Sequence, residues 1–151
     1  MARPFPLETV RVLSQTRTGE AARVLQDHSA RTREADAKLE KLHHYQEEYR
    51  VAKATELARG ITAQRLREYD GFLARLDEAI EVQAVEVARA HAIWETARLN
   101  WLDARRREQA MDALAARHSA DEAMREERLD RKAQDEFAAR VRPGPMKIRF
   151  K

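Results

Sequence analysis

Among residues that could do chemistry, the histidines offer the first test. Glu40 and His43 form a Glu-x-x-His pair, the unit from which di-iron helical bundles are built. Such a site needs a second copy and further inward carboxylates, and His28, His91 and His118 each lack a Glu three residues earlier. No metal site is therefore expected. The sequence holds no phosphate-cradling glycine loop, metalloprotease His-Glu-x-x-His, calcium loop or glycine-flanked serine. It has no cysteine, which removes thiolate nucleophiles, thiolate metal ligands and disulfides and agrees with a reducing compartment. Its acidic residues are interleaved with Arg and Lys as on a solvated helix surface, whereas a catalytic carboxylate pair would need a cleft. Neither catalysis nor a cofactor is expected. Arg105 to Arg107 form a basic run, but Asp103 and Glu108 flank it, and 29 basic against 26 acidic residues leave a net charge of only +3. Both features argue against a dedicated nucleic-acid binder.

The elements that must carry these residues are helices. The chain has 151 residues, is 36% charged and only 6% aromatic, and contains 27 alanines, a composition of long helix rather than of a compact core. No apolar run approaches the roughly 20 residues of a membrane span, and the start Met-Ala-Arg-Pro-Phe-Pro is unlike a signal peptide, so a cytoplasmic protein without membrane insertion is expected. Proline occurs only at 4, 6, 143 and 145. The stretch between lacks the one residue that reliably stops a helix. Gly60, followed by Ile61 and Thr62, has the form of a turn with Thr62 as the next N-cap, whereas Gly71 sits inside an apolar repeat as a tolerated helix glycine. The expected organisation is an all-α antiparallel hairpin over residues 1–142. Helix one covers about 7–58, the turn 59–62 and helix two about 63–142, with a basic flexible tail over 143–151.

Downstream of the turn, Leu66, Tyr69, Leu73, Leu76, Ile80, Gln83, Val87, Ala90, Trp94, Ala97, Trp101 and Ala104 alternate three and four apart, the repeat of a left-handed coiled coil. Trp94 and Trp101 read as wide core residues of that seam. Leu25, His28, Thr32, Ala35, Leu39, Leu42, Gln46 and Tyr49 keep the same alternation upstream with poorer residues. Val10, Leu13 and Val24 miss that register, which predicts a stutter near Gly19. Folding back at Gly60 puts Tyr49 level with Gly71 and Leu7 level with Ala113. The second helix should then lose its partner near Ala113. Its overhang, from about Leu114 to Arg142, would span about 43 Å at 1.5 Å per residue and lean on Asp121/Arg125, Glu127/Arg131 and Glu136/Arg140 pairs.

Beside the seam lies a patch. With Leu39 and Leu42 at positions a and d, Tyr45 falls at g; with Leu73 at a and Leu76 at d, Phe72 and Ala79 fall at g as well. In an antiparallel pair the g positions of both helices line one side, so Tyr45, Tyr49, Phe72, Leu76 and Ala79 gather on one face near the turn, where ordinary coils place Glu or Lys. Exposed aromatic clusters commonly mark protein contacts. The alternative is that the rings only widen the coil near its tip. Leu129, Ala133, Phe137 and Val141 recur every four residues and form a second candidate surface.

The residues resemble one family, the flagellar type III export protein FliJ. The resemblance rests on Phe5-Pro6-Leu7-Glu8-Thr9-Val10, Tyr45-Gln46-Glu47-Glu48-Tyr49, the region of Gly60, and Tyr69-Asp70-Gly71-Phe72-Leu73 with Leu76, Ala79, Ile80 and Gln83. It continues in Trp101-Leu102-Asp103-Ala104-Arg105-Arg106 and Asp135-Glu136-Phe137-Ala138-Ala139-Arg140 and so covers nearly the whole chain. It implies a two-helix coiled coil similar in shape to the central stalk of rotary ATP synthases. Such a stalk docks its helix ends in the hexameric export ATPase, engages the membrane export gate and is linked to substrate chaperones. The gate-contact residues it implies are Tyr45, Tyr49, Phe72, Leu76, Ala79 and Gln83. The other readings are the equivalent stalk of a virulence type III secretion system, a nucleic-acid-binding helical hairpin, and an enzyme or di-metal bundle. Steep salt dependence would single out phosphate binding, and stoichiometric iron or manganese would single out the di-metal bundle.

Overall fold

The computed structural model describes residues 1–141 and Gly144, in two helices: α1, Glu8–Arg59, and α2, Ala63–Val141. The expected basic tail and the end of helix two at residue 142 lie outside the described residues, Gly144 apart. The turn has the chemistry its residues prescribe. Gly60 adopts φ 94°, a left-handed conformation open to glycine at little steric penalty, and its N–H donates to the Leu57 carbonyl at 3.3 Å. Thr62 caps α2: its hydroxyl oxygen accepts from the Arg65 N–H at 3.1 Å, and its carbonyl accepts from the Leu66 N–H at 3.0 Å. Gly71 lies within α2.

The chain divides into two compact units, one of residues 17–104 and one of residues 1–16 with 105 onward. The first is an antiparallel hairpin. Its register is pinned across the seam by Lys53 with Asp70, Gln46 with Asp77, the Gln83 amide donating to the Ala35 carbonyl at 3.1 Å, and His91 with Asp36 at 3.0 Å. On α2 the shielded residues include Leu66, Tyr69, Leu73, Leu76, Ile80, Gln83, Val87, Ala90, Trp94, Ala97, Trp101 and Ala104, the seam that the three-four spacing outlines. By the same register Trp94 and Trp101 lie level with small α1 residues, Ser29 and Ala30, and Ala21 and Ala22, all partly buried. Large rings opposite small side chains keep interaxial spacing even.

The expected stutter is not present. Shielded positions along α1 run Arg11, Ser14, Thr18, Ala21, Leu25, His28, Thr32 and Ala35 without a break in the alternation, while Val10, Leu13 and Val24 are exposed. The seam there is built from hydroxyls and small residues. Buried Ser14 and Thr32 hydroxyls donate to carbonyls three residues back in their own helix, each at 2.7 Å, which satisfies them without a partner chain.

In the second unit, Arg11 reaches Asp112 at 3.0 Å and Glu8 at 3.0 Å. Here the overhang is shorter than the paired-length argument gives. Residues 1–7 precede α1 and lie along α2 at His118 and Glu122, and these two are partly buried, as are Met111 and Ala115 beside the Arg11–Asp112 pair. The exposed run begins at Ala123, not at Leu114, and continues through Val141. Glu127 pairs with Arg131, whereas Arg125 pairs with Glu122 at 3.8 Å.

Candidate partner-binding surfaces

Within residues 17–104, the six residues expected to share one surface divide by depth. Tyr45 and Tyr49 are exposed at 39% and 37%, and the Tyr49 ring packs against Phe72 with centroids 4.3 Å apart and planes tilted by 43°. That geometry suits the ring quadrupoles and fixes both rings in one place. Phe72 and Ala79 are half-buried. Leu76 and Gln83 lie deeper, each at 8%, and Gln83 spends an amide hydrogen on α1. They present little surface of their own.

Two cations that the sequence reading missed frame the rings. The Lys41 ammonium lies 5.9 Å from the Tyr45 centroid and the Arg75 guanidinium 6.0 Å from that of Phe72, both within cation–π range. The signal was available: Lys41 is four residues before Tyr45 and Arg75 three after Phe72, spacings that share a helix face. Nearer the turn, Arg65 binds Glu56 at 3.3 Å, and the Tyr69 hydroxyl donates to the same carboxylate at 2.8 Å. These bonds, Arg65 first and Tyr69 second, hold the Glu56 carboxyl below its ordinary range; the Glu56 contact raises both Arg65 and the Tyr69 phenol.

In the unit of residues 1–16 and 105 onward, the second surface is α2 from Ala123 to Val141. Leu129, Phe137 and Val141 are exposed at 59%, 69% and 60%. Among the described residues no group of His, Asp and Glu could hold a metal ion, and no helix is long and apolar enough to cross a membrane.

The class these features define is the antiparallel two-helix coiled coil. Among proteins of known structure it is similar to a Chlamydia trachomatis protein described as a YscO homologue, with a TM-score of 0.69 and 19% identity, covering 93% of this chain and 95% of that one. At that identity the likeness concerns the fold. A sequence family described as "Flagellar FliJ protein" matches residues 3–142. The chain is 32% identical to the flagellar FliJ protein of Salmonella typhi and 31% identical to that of Escherichia coli, each over 141 residues that cover 93% of this chain and 96% of the relative. The protein belongs to the flagellar FliJ family, a family of flagellum biogenesis and type III protein export.

Proposed function

We propose that the protein is a nonenzymatic coupling stalk of the flagellar export apparatus, working in the cytoplasm and joining the apparatus peripherally at the inner membrane. The bare end of α2 docks in the hexameric export ATPase and promotes its assembly. A surface of Tyr45, Tyr49, Phe72 and Ala79, backed by Leu76 and Gln83, contacts the membrane export gate, and substrate chaperones are handled through the same complex. The observation that carries this reading is the exposed run Ala123 to Val141, an uncovered helix end with large apolar side chains such as a docking stalk requires. Family membership supports the flagellar rather than the virulence system.

The experiment is a double substitution, Leu129→Glu with Phe137→Glu. Both side chains are exposed, so folding should be little altered. Stimulation of the export ATPase is expected to fall by about ten-fold or more while gate binding persists. Full stimulation by the double variant would remove the docking assignment.

A further inference from the structure

The segment before α1 stays outside the helix for a covalent reason. Arg3 and Phe5 each precede a proline, which steers both away from helical dihedrals, and α1 begins only at Glu8. What the segment does is less expected. The Arg3 N–H donates to the Glu122 carboxylate at 3.2 Å, and the Arg3 carbonyl accepts from His118 Nε2 at 2.9 Å. Since a carbonyl can only accept, His118 carries its proton on Nε2. Two α2 side chains one turn apart thus hold both backbone groups of a single residue. The Phe5 ring adds a tilted contact with His118, centroids 5.6 Å apart. Phe5 is the only partly buried residue of 1–7. Such a segment, held to α2 by two surface hydrogen bonds, one ring contact and an exposed ion pair of the Met1 ammonium with Glu126 at 4.0 Å, sits at the low end of local stability.

Beneath it lie Ala115, His118 and Glu122, α2 positions that continue the seam spacing and that a second helix would otherwise cover. We propose that residues 1–7 form an opening strap. Closed, it occupies the seam at His118 and Glu122 and confines the uncovered part of α2 to residues beyond Glu122. Open, it returns His118 to Glu122 to the docking end, lengthening that end by about one helical turn. The strap therefore competes with whatever receives the end of α2. This rests on the stalk reading, with the export ATPase as receiver.

The chain's lack of cysteine allows a clean test. Ala2 and Ala123 line the same open groove of about 410 Å³ beside the strap, and neither makes the contacts just described. In the full-length Ala2→Cys, Ala123→Cys variant, a short reducible bis-methanethiosulfonate cross-link would lock the strap closed. Locking is expected to lower ATPase stimulation by about ten-fold or more, since only the open fraction is competent. Reduction should restore it, and each single-cysteine variant carrying the same reagent should stimulate more than the locked protein does. Full stimulation by the locked protein would overturn the strap's gating role and leave the stalk reading standing. An unmodified protein that fails to stimulate the ATPase would overturn both. Equal loss in the single-cysteine controls would assign the effect to the reagent and overturn gating as well.

Discussion

Leu76→Ala and Phe72→Ala remove neighbouring side chains of one proposed surface, yet they should fail in different ways. Leu76 is 8% exposed, so truncation withdraws roughly three buried carbons from the seam at about 0.8 kcal/mol each. Incomplete collapse around the gap brings the loss to about 2–4 kcal/mol. For a chain of this size that lowers the melting temperature by roughly 5–15 °C. Phe72 is only half-buried; its removal forfeits the Tyr49 contact, about 0.5–1.5 kcal/mol, and part of its own burial. Its melting shift should be the smaller, while affinity for the gate falls by about 30-fold, as for an aromatic anchor in a contact surface. Thermal melts by far-UV circular dichroism and calorimetric titration of the gate's cytosolic portion, run well below both melting temperatures, separate the two effects. A Leu76→Ala protein that melts like the parent would refute the placement of Leu76 in the seam. A Phe72→Ala protein that binds like the parent would refute the surface.

Two glycines should respond to alanine with opposite signs. Gly60→Ala, with φ 94° and no atom near the added Cβ, meets backbone strain alone and should destabilise by about 1–2 kcal/mol, whereas Gly71→Ala, in open space within α2, should stabilise by about 1 kcal/mol in urea melts. The turn also carries a pH signature. Glu56 has a folded pKa below its reference value of 4.5, so its stabilising contribution is present above that value and lost as pH falls through the lower folded value. Arg65→Gln, which removes the leading cause of the shift, should flatten the acid limb of the melting profile; an unchanged profile would exclude this source.

Much of the fold was legible because its strongest signals were local. Missing prolines, a Gly-Ile-Thr turn and a three-four repeat of large residues on α2 leave few alternatives to a hairpin. The α1 seam was harder to follow upstream, since Ser14, Thr18 and Ala21 are less apolar than Val10, Leu13 and Val24, which stay exposed. Hydrophobicity favours the latter set; at Ala21 shape favours the former, because the Trp101 ring needs a small residue across the seam. The strap escaped for a related reason. A helix-to-helix pairing argument counts only helical residues, and Arg3 contributes backbone groups, which side-chain identity does not advertise. At the aromatic surface, heptad position gave the side of the coil but not the depth, so Leu76 was grouped with rings that stand farther out, and the family resemblance added Gln83, a seam residue, to the same surface.

Among the described residues only Leu76 and Ala97 are apolar and buried, and neither is fully shielded. A thin interior of this kind leaves small energetic reserve, so any binder that prefers the ordered chain should raise its melting point in proportion to the logarithm of the binder's concentration. Heat resistance in the cell would then report occupancy: the same polypeptide would be fragile when idle and robust when engaged.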